Sequence, residues 1–343
     1  MSGVQIVTIA EDDGDQRLDR WFRKHFPHVS QIQVAKICRK GEVRLDGARV
    51  KPADRVTAGQ TLRIPPLPDA PELTDSGFEP APEDDIRMIQ DSVIWQDDHI
   101  IAINKPPGLP SQGGSGQGNR HVDALAEYLK FGYKDKPDLI HRLDKDTSGV
   151  LLLGRTSSMT RKLNEVFRGR DIRKIYWAAV AGVPKPKMGT IRYGLLKGGN
   201  PRDEKMICIH PAKVDQTEGA KRSTTDYAVI DALGTRAAWV AMVPITGRTH
   251  QLRAHMAEIG HPIAGDGKYG GKSQENLGDG WGAGLGGEIS RKLHLHARHL
   301  AFRHPVTGSM IKLTADLPEH MAKTWKTLGW SIWDAPEDPF EDQ

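Results

Sequence analysis

With 343 residues, 38% of them hydrophobic and 27% charged, the chain is long enough for two folding units and apolar enough to bury a core in each. No apolar run approaches the roughly 18 residues of a membrane-spanning helix. The N-terminal MSGVQIVTIAEDDGDQ lacks the basic start and long apolar run of a secretory signal and turns acidic too early for a mitochondrial presequence. Two cysteines, Cys38 and Cys208, make neither a disulfide framework nor a zinc site, so a reducing cytoplasm is the expected setting.

The net charge of +4 conceals a segregation. Arg17 to Arg63 holds twelve Lys and Arg against four acids, whereas Ile64 to Ile100 holds Arg87 alone against ten acids. A basic module, an acidic tether and a separate body are the natural division, and the module is suited to a polyanion. Charge runs are more often plain solvated surface, and that reading stays open here. Pro65, Pro66, Pro68, Pro71, Pro80 and Pro82 make residues 65–88 an extended linker, because proline can neither continue a helix nor sit in a central strand.

In chain order, Leu18, Trp21 and Phe22 predict a short amphipathic helix over 17–26. After Pro27, Ser30 and Gln33 have the spacing of a capping box, opening a second helix with Ile32, Ala35 and Cys38 on one face and Gly41 as its stop. Val43, Leu45, Ala48 and Val50 flank an Asp46-Gly47 hairpin turn. From residue 89 the apolar pattern resumes. Strands are expected at Val93–Trp95, His99–Asn104, Val150–Leu153, Lys174–Ala181, Thr224–Ile230 and Ala237–Val243. Helices are expected at His121–Phe131, Ser158–Arg168 and Thr249–Ile259. Strands outnumber helices without alternating regularly with them, so the class is α+β, with a mixed, largely antiparallel sheet flanked by helices and loops. Residues 271–288, rich in glycine and aperiodic, read as an inserted surface loop.

The segment most able to carry chemistry is His141-Arg142-Leu143-Asp144-Lys145-Asp146-Thr147-Ser148-Gly149, which a loop between a helix and a buried strand would present beside a rigid scaffold. As isolated residues, Asp144 is a candidate Asx cap and Tyr176 a candidate core residue. As a contiguous string, the segment resembles the HRLDxxTSG loop of the pseudouridine synthase family that includes the ribosomal large-subunit enzymes. Asn104-Lys105-Pro106-Pro107-Gly108 is similar to that family's NKPxG loop, Lys174-Ile175-Tyr176 to its K-x-Y strand, and Thr246–Met256 (TGRTHQLRAHM) to its TGRxHQLRxHM helix. His261-Pro262-Ile263, Gly265-Asp266 and Leu295-His296-Ala297 continue the likeness, which spans about residues 90–315. Two helices and a hairpin strewn with arginine resemble the S4 RNA-binding domain. The organisation expected is therefore an S4-like module at 15–64, the linker at 65–88 and a catalytic domain at 89–330.

The resemblance implies an enzyme that breaks the N1–C1′ bond of a uridine in RNA, turns the base and rejoins it through C5, without a cofactor or a metal. It implies Asp144 as the carboxylate that attacks or takes a proton, Arg253 as its guanidinium partner and Tyr176 as the tyrosine against the uracil. A carboxylate covered by RNA must stay ionised, and a neighbouring guanidinium opposes the desolvation. Arg142 matches the arginine that holds the target nucleotide out of the stack. Arg248, the alternative partner of Asp144, and Lys105 are expected on RNA. Arg17, Arg20, Arg23, Lys24, Lys36, Arg39, Lys40 and Arg44 form the expected phosphate footprint of the S4-like module. Relatives often carry a histidine before Gly-Gly where this chain has Gln112. A monomer acting on large-subunit ribosomal RNA is the leading reading. A transfer-RNA-modifying member, a non-catalytic S4-type binding protein and a carboxylate-dependent N-glycosidase are the alternatives. His294, His296 and His299 form an HxHxxH pattern that no carboxylate or cysteine completes into a metal site.

Overall fold

The computed structural model describes residues 3–68, 80–113, 118–169, 172–198, 205–270 and 289–340. The chain divides into two compact units, Met1–Pro80 and Ala81–Gln343. The Gly-rich stretch 271–288 and residues 69–79 of the expected linker lie outside the described residues.

In the first unit, helices Leu18–His25 and Gln31–Lys40 pack on a four-stranded sheet ordered Gln5–Thr8, Thr61–Ile64, Arg44–Leu45, Ala48–Arg49. The Ser30 hydroxyl accepts from the Gln33 amide while the Gln33 side chain accepts from the Ser30 amide, closing the capping box. Asp46 and Gly47 both have positive φ, 49° and 80°, as a two-residue hairpin turn requires. The second helix is turned relative to expectation. Val34 and Cys38 are buried, and Ile32 is 81% exposed. Cys38 is on the stripe read from periodicity, but Val34 and not Ile32 completes the buried face.

The expected linker is shorter than its prolines suggested. Ile64 and Leu67 are buried in the core of the first unit. Residues Glu83–Asp91 form a helix whose Ile89 is fully buried among Ile101, Ile103 and Leu125 of the second unit. Pro82 occupies the N-cap, and the acids Glu83, Asp84 and Asp85 fill the first turn, where the helix dipole favours them.

The second unit is built on an eleven-stranded sheet. Its path runs Met206–Ile209, Met188–Lys197, Lys221–Leu233, Ala237–Pro244, Arg173–Ala181, Leu295–Arg303, Ser148–Gly154, Ile100–Lys105, Val93–Gln96, with Met310–Thr314 and Asp138–Leu139 attached. Among the described residues, every pairing in it is antiparallel except one. Ser148–Gly154 and Leu295–Arg303 run parallel, through Ser148↔His296 and Gly149↔Ala297. The α+β class holds, with a sheet that is mixed at this single seam. The expected helix over 121–131 is instead a turn of α-helix, Val122–Leu125, followed by a 3-10 segment, Ala126–Leu129.

Both faces of the central strands are covered, which is why they read as nearly continuous apolar runs. Trp177, Ala179, Trp239 and Ala241 face the C-terminal helix Glu319–Leu328 and its Trp325. Ala178, Val180, Val240 and Met242 face Leu252 and Met256 of helix Gln251–Glu258. Tyr176 belongs to the second face by alternation, so the strand carrying it and the helix carrying Arg253 are brought together by a shared apolar core. Among the described residues, no helix is long and apolar enough to cross a membrane.

Candidate active site

The parallel seam positions the loop His141–Thr147. Across three adjacent strands Gly149 pairs with Ala297 and Ala297 with Tyr176, so the loop leading into Ser148 ends beside Tyr176. Gly149 has φ +112°, and a Cβ built there would lie 2.3 Å from the Ala297 carbonyl oxygen. Only glycine permits the strands to approach this closely. The Ser148 hydroxyl is hydrogen-bonded to His296 Nδ1 at 2.8 Å, tying the same two strands through their side chains.

The loop is braced from beneath. The Ser111 hydroxyl donates to the Leu143 carbonyl at 2.7 Å and accepts the Leu143 amide at 3.0 Å. The Lys145 carbonyl accepts the Gly108 amide at 2.9 Å. Lys105, expected on RNA, is fully buried, and its Nζ donates to the carbonyls of Pro106, Leu109 and Lys145 at 2.8–3.0 Å. Burial pushes its pKa down to about 7, against the pull of Asp146 and Asp144. All three ammonium donors are spent on the backbone, so Lys105 scaffolds the loop and is corrected from the RNA contacts. His141 stacks on Phe167 at 4.7 Å and accepts the Leu152 amide at 3.2 Å. Burial drives its pKa down to about 3, so it braces the loop as a neutral ring.

Opposite the loop, Gln251 closes the turn that precedes helix Gln251–Glu258. Its side-chain oxygen accepts from the Thr246 hydroxyl at 2.7 Å and the Arg248 amide at 3.1 Å, and its amide donates to the Thr224 carbonyl at 2.8 Å. These bonds explain the Thr-Gly-Arg-x-His-Gln string physically: the glutamine holds the turn that presents Arg248, His250 and Arg253. Arg253 is nearly buried. Its Nε and Nη2 form a two-bond fork with the Asp266 carboxylate at 2.7 and 2.8 Å, and its Nη1 lies 3.5 Å from Asp144 Oδ2. Sequence reasoning placed Arg253 beside Asp144. It did not see that Arg253 is shared, with Asp266 holding the greater part of the guanidinium. Burial pulls Asp266 upward, but Arg253 and the amides of Lys268 and Tyr269 outweigh it and hold its pKa below the ordinary carboxylate value. Tyr269 lies beneath the guanidinium, 5.3 Å from its ring centre. Gly265 must be glycine for the turn to reach Asp266, since a Cβ there would meet the Lys292 carbonyl oxygen at 2.0 Å.

Asp144, Tyr176, Arg142, Arg248 and Arg253 all line one cleft of about 1130 Å³. Arg142 and Arg248 are exposed at it, with no side-chain partner among the described residues. Burial, then the charge of Asp144, raises the Tyr176 phenol above its ordinary value, so Tyr176 enters any reaction protonated. The lining residues include six Arg and Lys against one carboxylate, Asp144. A cleft of that composition concentrates a polyanion and offers it a single carboxylate.

Two groups that sequence reasoning missed stand at the same point. His250 Nε2 lies 3.7 Å from Asp144 Oδ2, and His250 Nδ1 lies 3.1 Å from the Tyr269 hydroxyl. His250 sits inside the string already singled out and Tyr269 three residues after Asp266, so their place in the chain was visible, but their pairing was not. Each HxHxxH ring has other hydrogen-bond partners. His294 faces the Thr324 hydroxyl and the Ala264 carbonyl, His296 faces Ser148 and the Ala315 carbonyl, and His299 faces the Thr314 hydroxyl. In the first unit, Arg20, Lys36, Arg39 and Lys40 are exposed, Lys40 lying 3.5 Å from Glu42, whereas Arg17 and Lys24 are held more closely by Asp19 and Asp13 at 2.6 and 2.7 Å. Arg44 donates to the Gly47 carbonyl at 3.0 Å.

Comparison with known proteins adds an independent line. Residues 99–258 match the family model described as RNA pseudouridylate synthase, and residues 16–62 match that of the S4 domain. Over 331 residues the chain is 34% identical to the ribosomal large subunit pseudouridine synthase C of Salmonella typhi, covering 95% of this chain and 97% of that one. The protein of the same name from Vibrio vulnificus is 34% identical over 334 residues, covering 95% and 96%. Among solved structures, human RNA pseudouridylate synthase domain containing 4 superposes with a TM-score of 0.55 at 28% identity, covering 71% of this chain and 95% of that one.

Proposed function

Because the chain belongs to the RNA pseudouridylate synthase family and is an RNA pseudouridine synthase, we propose that it isomerises uridines of large-subunit ribosomal RNA with Asp144 as the reacting carboxylate. The relatives named ribosomal large subunit pseudouridine synthase C support the choice of RNA, since the likeness covers 95% of this chain and 96–97% of theirs. The observation that carries the assignment of Asp144 is its standing as the sole carboxylate among the residues lining a cleft of arginines and lysines, with Arg253 Nη1 3.5 Å away.

In this reading the substrate strand enters the cleft on its phosphates, and Arg142 and Arg248 meet the flanking backbone as the target base leaves the stack. Asp144 acts at the sugar–base junction, attacking or taking a proton as the N1–C1′ bond breaks. Arg253, anchored by Asp266, orients the carboxylate with one free edge of its guanidinium. Tyr176 packs on the uracil and exchanges a proton with it as C5 replaces N1. Arg20, Lys36, Arg39 and Lys40 of the S4 unit supply phosphate contacts that position the RNA without reading its sequence. The proposal places the enzyme in the cytoplasm as a monomer.

The test is Asp144→Asn, nearly isosteric and uncharged. Large-subunit RNA incubated with this variant is expected to gain no pseudouridine by position-resolved mapping, while binding the protein as the unaltered chain does. Pseudouridine formation at the unaltered rate would remove Asp144 from the mechanism, and free uracil in the unaltered reaction would point to base release.

A further inference from the structure

We propose that His250 is a positioning residue for Asp144: the Tyr269 hydroxyl donates to His250 Nδ1, and the imidazole thereby presents its Nε2–H to the Asp144 carboxylate as an uncharged donor. The inference rests on the assignment of Asp144 as the reacting carboxylate and assigns a partner to it besides Arg253.

The Met206 amide donates to the Tyr269 hydroxyl oxygen at 2.7 Å. That oxygen accepts there, and its own proton still needs an acceptor; among the described residues the one hydrogen-bonded to it that can serve is His250 Nδ1, at 3.1 Å. A ring nitrogen that accepts cannot carry a proton in the neutral imidazole, so the proton is on Nε2. Nε2 is the atom 3.7 Å from Asp144 Oδ2, just beyond hydrogen-bond length. The ring is held in place as well as in tautomer. His250 is 7% exposed, stands edge-on to Tyr269 with ring centres 5.7 Å apart, and occupies the left-handed region at φ 53°, an uncommon position for a residue other than glycine. Such a conformation persists where the surroundings over-determine it, here at the turn closed by Gln251.

Burial favours the neutral form of the ring, and the charges around it divide. His250 is faced by Asp144 from the loop, by Arg253 from its own helix, and by Asp266, Lys268 and Tyr269 from the following turn. Burial lowers its pKa below the ordinary histidine value. Asp144 and Asp266 oppose that shift, and Arg253 and Lys268 reinforce it. The distinction matters chemically. A second full cation beside Arg253 would hold the carboxylate in an ion pair and blunt its attack or its basicity, whereas a neutral N–H fixes an oxygen's direction at less cost to its reactivity.

The experiment measures kcat and KM against pH for the full chain on large-subunit RNA, with four variants. Tyr269→Phe keeps the ring under Arg253 but removes the donor to Nδ1. Its His250 then charges more readily, so the acid limb of kcat/KM is expected to move upward by on the order of one pH unit. His250→Gln offers a side-chain N–H that does not titrate. It is expected to keep most of kcat, with the histidine limb gone. His250→Leu has the same backbone strain and no donor, and it is expected to lose about tenfold in kcat with KM unchanged. A Tyr269→Phe profile superimposed on that of the unaltered chain, a limb that survives in His250→Gln, or equal losses in the Gln and Leu variants would each overturn the proposal. Asp144→Asn runs in parallel to separate the two readings. If it is inactive, any of those three results sinks the role of His250 alone; if it is fully active, the assignment of Asp144 falls and this inference falls with it.

Discussion

Asp266→Asn tests the idea that Arg253 is anchored from behind before it serves Asp144. The Asp266 side chain is fully buried and that of Arg253 is 7% exposed, with two bonds of 2.7 and 2.8 Å between them. Asp266 also accepts the amides of Lys268 and Tyr269 at 3.0 and 3.1 Å. Asparagine keeps the shape and one acceptor oxygen but turns an NH2 group towards either the guanidinium or those amides. Breaking a buried ion pair by altering one partner costs about 3–5 kcal/mol. Asp144, 3.5 Å from Nη1, still compensates part of the guanidinium charge, so the lower end, about 3 kcal/mol, is expected. For a unit of this size each kcal/mol corresponds to roughly 2–4 °C, so calorimetry of the second unit's transition is expected to register a fall of about 6–12 °C. The pH dependence has a definite sign. Arg253 holds the Asp266 pKa below its ordinary 3.8 in the folded state, so its contribution is fully present above that value and is lost as pH falls through the folded pKa. The gap between the unaltered chain and the variant is therefore expected to stay constant from about pH 8 to 5 and to narrow below about 4. A Tm within 1 °C of the unaltered protein at pH 7 would refute the reasoning, because it would mean that the guanidinium is equally well held without Asp266.

Two further outcomes follow from the geometry. Gly149→Ala places a Cβ 2.3 Å from a backbone oxygen at φ +112°, so strands Ser148–Gly154 and Leu295–Arg303 must part; a loss of about 3 kcal/mol or more in denaturant unfolding is expected, and an unchanged midpoint would show that the seam tolerates a side chain. Replacing Arg20, Lys36, Arg39 and Lys40 together by Gln removes four exposed cations from the S4 unit. The slope of log K against log salt for RNA binding is expected to flatten by about 3, and an unchanged slope would remove them from the phosphate footprint.

The limits of sequence reasoning can be located residue by residue. The capping box of Ser30 and Gln33, the Asp46-Gly47 turn and most of the central strands were legible because each depends on neighbours a few positions away. Ile32 was misplaced because helical periodicity defines a stripe but not which edge of it meets the partner. Residues 83–88 read as tether because prolines at 80 and 82 signal a break, whereas Pro82 caps a helix whose Ile89 packs against Ile101 and Ile103. Lys105, in the Asn-Lys-Pro-Pro-Gly string, is expected on RNA, and no local signal in the sequence reveals the three carbonyls that surround it.

The sequence by itself determined the family, the two-unit organisation, the α+β class and a small set of candidate residues that the fold gathers at one cleft. These rest on contiguous strings and local charge, which a linear reading can see. The tertiary structure decided how those residues divide their labour. It placed Asp266 behind Arg253, set Tyr269 behind His250, buried Lys105 and joined the loop His141–Thr147 to Tyr176 through one parallel seam. Each of these depends on which carbonyl, carboxylate or ring fills the space beside a side chain, and that is settled only when strands distant in sequence close on one another.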